Sequence, residues 1–167
     1  MSLKLVPEFM FDKFSSVSAE FLLSQGVKGI ILDIDNTLEP YENAVPGDAL
    51  LAWFSSLSDA GIVCAFVSNN NRERVELFNK ELGYVAYYKA GKPFKKNVIK
   101  AMSDIGCDRS NTIMMGDQVF TDVIAAHNAG LRAILLPPIK DKTDVFTKFK
   151  RWLEKPVIKK YNKGKNL

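Results

Sequence analysis

Apolar residues gather in five short runs, at 29–32, 62–67, 84–88, 112–115 and 132–136. Their length and β-branched content predict buried strands rather than helices. The stretches between them follow helical spacing. Over 49–60, Leu50, Trp53, Phe54 and Leu57 share one face, and Gly61 stands as the C-cap. A second helix is predicted over 72–82, stopping at Gly83. A third, over 93–105, opens with Pro93 in its first turn and stops at Gly106. A fourth covers 119–129 and stops at Gly130. Strand alternating with helix predicts an α/β fold: three layers, Rossmann-like, with a five-stranded parallel sheet and helices on both faces. No repeat and no linker interrupts the pattern. It predicts one domain over 1–167, with its core at about 28–136 and with the N-terminal stretch and the segment 140–167 as appendages.

Polar residues break the apolar runs at particular places. In such a sheet, ligands bind outside the C-terminal strand ends, where the strand order reverses. The first strand runs straight into Asp33 and Asp35 in "KGIILDIDNTLEP". Burying two unpaired carboxylates there would cost several kcal/mol, and like charges so close repel. Ser68 ends the second strand in "AFVSNNN", Lys92 follows the third in "KAGKP", and Asp117 and Asp122 follow the fourth in "MMGDQVFTD". Carboxylates gathered in this way suit a hard divalent cation with oxygen ligands, Mg²⁺ above all. The cation removes the repulsion.

Phosphoryl transfer needs such a set. A metal shared by Asp33 and a phosphate oxygen lets the carboxylate approach an anionic ester. Asp33 can then attack, giving an aspartyl-phosphate. Asp35 can protonate the leaving alkoxide and later take a proton from water. Ser68 would bind a phosphate oxygen, and Lys92 would offset charge on the phosphoryl group. Each has a plainer rival. Ser68 could cap the following helix, Lys89, Lys95 and Lys96 compete with Lys92, and Asn69 could touch phosphate or shape a turn. His127, the one histidine, reads as a packing residue, as do Met114 and Met115.

These residues resemble the four motifs of the haloacid dehalogenase-like (HAD) phosphatase superfamily. "DIDNTL" resembles its DxDxT motif, Ser68 its second, Lys92 its third and "GDQVFTD" its fourth. All four occur in order across roughly 28–136. The resemblance implies Asp33 as nucleophile, Asp35 as acid/base, and a metal held by Asp33, the main-chain carbonyl of Asp35 and Asp117. It implies that Asp122 stands behind them, orienting Lys92 or a metal-bound water. Asp35 speaks for a phosphatase over a dehalogenase. A receiver-like signalling module would carry its acceptor Asp at the end of the third strand, where this chain has none. A non-catalytic phosphatase-fold scaffold is the remaining alternative.

The intervals between motifs leave no room for a large cap domain, and 39–46, "EPYENAVP", is the candidate flap. Size and motifs resemble the capless branch of subfamily IIIA labelled YqeG, which is similar to mitochondrial phosphatidylglycerophosphate phosphatases. That implies an anionic lipid substrate. A soluble phosphosugar, nucleotide or phosphoprotein is the alternative. Charge bears on the choice. Of the net +4, the segment 140–167 contributes ten Lys/Arg against three Asp/Glu, hence +7, and the remainder is −3. Phe146, Phe149, Trp152 and Leu153 lie among those lysines, and such a segment can rest on an anionic membrane or pack as a helix with a solvated basic tail. The "LVPEFMFDKF" stretch would add exposed aromatics. Nucleic acid could also attract the basic segment, but no aromatic-lined face for it is evident.

No apolar run approaches the roughly 20 residues of a membrane span, and the opening residues, with Pro7 and several charges, make a poor signal peptide. Cys64 and Cys107 have no metal-binding or redox spacing and read as reduced thiols. The expected location is cytoplasmic, peripheral at the inner face of the membrane if the lipid reading holds.

Overall fold

The computed structural model describes residues 5–140 and 145–165, the side chains of 145–147 excepted. Its strands are β1 (Phe9–Met10), β2 (Gly29–Leu32), β3 (Val63–Val67), β4 (Val85–Tyr87), β5 (Thr112–Gly116) and β6 (Arg132–Leu135). Its helices are α1 (Ala19–Ser24), α2 (Asp48–Asp59), α3 (Arg72–Asn79), α4 (Lys96–Asp104), α5 (Ile124–Ala129) and α6 (Val145–Lys165). All strands run parallel in the order β1-β6-β5-β2-β3-β4.

The period of two along β2 decides the layers. Ile30 and Leu32 face a core that also holds Leu22 of α1, Trp53, Phe54 and Leu57 of α2, and Val75 and Phe78 of α3. Ile31 faces the opposite core, with Val98 and Ala101 of α4, Ala125 and Ala129 of α5, and Val157 of α6. Helices on both faces leave only the strand ends open to a ligand. β2 lies between β3 and β5, so the strand order reverses at its C-terminal end.

The sheet has six strands, not five. The sixth, β1, pairs Phe9 with Ile134 and Met10 with Leu135. Two residues beside Pro7 and Glu8 carry no readable alternation, and the ladder that holds them is more than a hundred residues away. The aromatics of this stretch are not exposed either. Phe9 and Phe11 pack edge-on against Phe21, at 5.1 and 4.9 Å, and Phe14 against Trp53 at 5.5 Å. Helix α1 is also additional. Ser18 caps it, accepting from the Phe21 N–H at 3.0 Å. The helix predicted from Pro93 starts at Lys96, because 91–95 forms a turn in which the Phe94 N–H donates to the Gly91 carbonyl at 2.9 Å.

The basic C-terminal segment is helix α6, which packs on the sheet through buried Val157 and Tyr161. The Tyr161 hydroxyl accepts from the Met10 N–H at 2.9 Å, joining the two chain-end elements. Cys64 is buried and Cys107 half-buried, both as free thiols. His127 packs at the surface with Nε2 3.1 Å from both Glu8 carboxylate oxygens. No helix among the described residues is long and apolar enough to cross a membrane.

Candidate active site

Leu32 and Met115 are register partners on β2 and β5. The residues that follow them, Asp33 and Asp117, therefore leave neighbouring strands side by side. The Asp33 N–H extends the ladder, donating to the Met115 carbonyl at 3.0 Å. Both side chains are buried, and with Asp122 they bring carboxylate oxygens within 4.8 Å of one another.

Asp122 reaches this position through two local features. The chain after β5 forms a widened π-helical turn over Val119–Val123, where the Asp122 and Val123 N–H groups both donate to the Gln118 carbonyl, at 2.9 and 3.3 Å. Such turns re-aim side chains. The Asp122 carboxylate then packs closely against Gly116. A Cβ there would stand 2.3 Å from the Asp122 Cγ, so glycine is required by close approach.

Lys92 joins the acids. Its Nζ donates to Asp33 Oδ1 at 2.8 Å and to Asp122 Oδ1 at 2.7 Å, and its side chain is 2 % exposed. Its three rivals, Lys89, Lys95 and Lys96, are exposed. Asn69 holds the backbone of Lys92 from both sides: its Nδ2 donates to the Lys92 carbonyl at 3.0 Å, and its Oδ1 accepts from the Lys92 N–H at 2.8 Å. Asn69 is thus bonded to the backbone of Lys92. Ser68 ends β3 at the same edge, and its Oγ accepts from the Asn70 N–H at 3.1 Å, leaving its hydroxyl hydrogen for another partner. It is not the helix cap; Asn71 caps α3, accepting from the Arg74 N–H at 2.9 Å.

Asp35 departs from the group. Its Oδ1 accepts from Arg74 Nε at 3.0 Å and Nη2 at 2.9 Å, and its Oδ2 from Asn70 Nδ2 at 2.8 Å. Arg74 also donates to the Asn43 carbonyl at 2.6 Å, and its guanidinium stands 5.9 Å from the Tyr41 ring centre. Asp35 is thereby tied to the flap rather than to the buried cluster.

Four further residues shape the site: Thr37, which closes the DxDxT-like motif, and three that no signal in the sequence singles out. Thr37 Oγ1 lies 3.1 Å from Asp33 Oδ2 and 3.1 Å from Asp117 Oδ1. A hydroxyl has one hydrogen to donate. One of those two contacts therefore needs a proton on the acid or a cation between the oxygens. Arg151 of α6 reaches Asp117 from behind, with Nη2 2.8 Å from Oδ2 and Nη1 2.7 Å from the main-chain carbonyl. Glu154 accepts from Arg151 Nη1 at 2.9 Å and from the Val119 N–H at 2.9 Å. Arg74, the fourth, is described above.

The electrostatics favour a cation. Burial, helped by the charges of Asp33 and Asp122 and opposed by Arg151, pushes the Asp117 carboxyl up to about 8. Burial also raises Asp33, against the pull of Lys92. Burial works against the Lys92 ammonium, but Asp122 and Asp33 together outweigh it and raise its pKa. Lys92 is therefore charged, while burial and mutual repulsion make Asp33 and Asp117 costly to ionise together, a cost that a cation between them would remove. Asp33 and Asp117, held by Thr37 with one hydrogen between them, fit a divalent metal.

The Hydrolase-like family model, described as HAD-hydrolase-like, matches residues 89–146, which include Lys92, Asp117 and Asp122. The chain is 33% identical over 153 residues to the probable phosphatase YqeG of Bacillus subtilis (strain 168), spanning 92% of this chain and 89% of that one. It is 25% identical over 171 residues to phosphatidylglycerophosphate phosphatase 1, chloroplastic/mitochondrial, of Arabidopsis thaliana, spanning 90% of this chain and 49% of that one. Among solved structures, the cobalt-bound deoxy-D-mannose-octulosonate 8-phosphate phosphatase of Haemophilus influenzae superposes with a TM-score of 0.53 at 16% identity, over 83% of this chain and 91% of that one. That likeness is one of fold.

Proposed function

The chain belongs to the HAD-like phosphatases of the YqeG type, and from that premise we propose that it hydrolyses a phosphate monoester through an aspartyl-phosphate on Asp33, with Mg²⁺ as its metal and phosphatidylglycerophosphate as its substrate. One observation carries the reading: a buried ammonium, Lys92, is shared by Asp33 and Asp122 beside Asp117, at the point where the strand order reverses.

Asp33 attacks phosphorus with one carboxylate oxygen, and the ester P–O bond breaks. The leaving alkoxide takes its proton from Asp35, which turns from Arg74 to deliver it. Water then attacks the phosphoryl group and yields a proton to Asp35. Phosphate leaves, and the Asp33 carboxylate is restored. Lys92 and the Ser68 hydroxyl face the phosphoryl oxygens, and Asn69 and Asp122 keep Lys92 in place. Asp33, Asp117 and the main-chain carbonyl of Asp35 would hold the magnesium ion, which would supply charge neutralisation and alignment of the phosphate.

Two observations support the lipid. The described residues form no large cap, so a bulky substrate can approach the strand ends. The outward face of α6 also exposes Phe149 and Trp152, stacked at 6.1 Å, beside Leu153, Lys148, Lys155, Lys159 and Lys163. Phe146, counted with them in the sequence, lies outside the described side chains. Such a face suits an anionic bilayer, with each basic residue near the surface worth about 1 kcal/mol.

The test is phosphate release from phosphatidylglycerophosphate in mixed micelles, alongside soluble phosphosugars, nucleotides and a phosphopeptide. Release from the lipid should exceed the others and should vanish with chelator or with Asp33→Asn. Turnover of a soluble ester alone would replace the lipid reading, and full activity in excess chelator would remove the metal. Changing Lys159, Lys160, Lys163 and Lys165 together to Gln should weaken sedimentation with anionic vesicles and spare turnover of a small soluble ester. Unchanged sedimentation at low salt would leave those lysines no part in docking.

A further inference from the structure

Helix α6 enters the active site, although its sequence reads as a basic tail. Arg151 uses two of its nitrogens on one residue: Nη2 donates to Asp117 Oδ2 at 2.8 Å, and Nη1 to the Asp117 main-chain carbonyl at 2.7 Å. The Asp117 side chain is fully buried and Arg151 is 20 % exposed. The two bonds fix both the carboxylate and the peptide that carries it. Oδ2 is thereby committed to Arg151, and Oδ1 is left facing Thr37 and the oxygens of Asp33. Arg151 is itself fixed by Glu154, whose second oxygen accepts from the Val119 N–H at the head of the widened turn that delivers Asp122.

We propose that Arg151 is a positioning residue for the metal site: it sets Asp117 so that Oδ1, and not Oδ2, is presented to the cation. The proposal rests on the reading of Asp117 as a metal ligand. Carboxylate ligands are commonly oriented by such outer partners, whose loss weakens metal binding 10–100-fold. A cationic neighbour could instead repel the metal. Here the guanidinium is already balanced by Glu154 and by Asp117 Oδ2, so its orienting effect outweighs its charge. The planar fork is what allows both bonds, and a lysine cannot reproduce them.

The test uses the full chain and Mn²⁺ as the probe, with free Mn²⁺ followed by electron paramagnetic resonance. Arg151→Met should raise the Mn²⁺ Kd by about tenfold or more. Arg151→Lys, which keeps the charge and is the fallback if the methionine variant does not fold, should raise it several-fold. On a soluble phosphoester, both variants should need more Mg²⁺ and should recover most of kcat at saturating metal. A purely structural role for Arg151 would lower Tm and leave the Mn²⁺ Kd within twofold of the parent, which would overturn the proposal. Tighter Mn²⁺ binding in Arg151→Met would also overturn it, since Arg151 would then be a competitor of the cation. The readout is metal binding, so it stands whatever the substrate proves to be. A parent protein that binds no Mn²⁺ overturns the metal site and this proposal with it.

Discussion

The two aspartates of the first motif stand two residues apart and live in different surroundings. Asp33 belongs to a buried set, with Lys92, Asp122, Asp117 and Thr37 around it and only 11% of its side chain exposed. Asp35 lies half-exposed against Arg74 and Asn70, joined through Arg74 to the flap at Asn43. The period of two along an extended chain sends both side chains to the same side of the strand. The chain stops being a strand at this point, however, and Asn36 turns through a positive φ of 61°. The difference teaches a division of labour. A nucleophile and its electrostatic partners gain from being fixed before the substrate arrives. A proton donor that serves two successive steps gains from a position at the edge, where it can move.

The largest expected effect strikes the buried set. Lys92→Met leaves Asp33 and Asp122 without their shared cation, and breaking a buried pair costs about 3–5 kcal/mol. Turnover should fall by at least about a hundredfold, and unfolding in urea should show the stability loss at pH 8. A variant with near-parental kcat would mean that the buried set is structural, and the division of labour would collapse.

The next effect concerns pH. Asp117, raised to about 8, keeps a proton in the folded chain that the unfolded chain gives up near pH 4. The folded state thus binds more protons between those values, and this contribution to stability is lost as pH rises towards 8. Raised Asp33 acts in the same direction. In the metal-free protein Tm should fall from pH 5 to pH 8, and saturating Mg²⁺ should raise Tm more at pH 8 than at pH 6, because the cation takes the place of the proton. Scanning fluorimetry with chelator and with Mg²⁺ checks both. An equal gain at the two pH values would show that the metal does not meet these acids.

The smallest effect belongs to the edge. Arg74→Ala frees Asp35 and the Asn43 carbonyl but leaves the buried set intact. Stability should change by about 1 kcal/mol or less, and kcat by less than about tenfold. A loss as large as that of Lys92→Met would place Arg74 in the fixed machinery and erase the contrast between the two regions.

What the sequence disclosed follows the same line. The strands β2 to β6 are apolar runs bounded by glycine or polar residues, and short-range pattern suffices to find them. The buried set follows from where those strands end. The features that escaped reading depend on distant partners. Strand β1 exists because β6 offers it an edge, and Arg151 looks like any other cation in a lysine-rich stretch until α6 folds back onto Asp117. Arg74 sits on a helix face that could as well have been solvated. Asn69 shows the other kind of difficulty, since its place in the chain was visible and its hydrogen-bond partner was not.

The pairing of β1 with β6 has a consequence for how the chain is made. Phe9 and Met10 leave the ribosome long before Ile134 and Leu135, so the edge strand must wait, unpaired, until nearly all of the sheet has been synthesised. Arg151 emerges later still, and with it the partner of Asp117. Assembly therefore closes at both ends of the chain together, when α6 lays Tyr161 against Met10. A nascent chain arrested before α6 would hold the nucleophile and its lysine without the partner that orients Asp117, so it should need more metal than the chain that carries this helix.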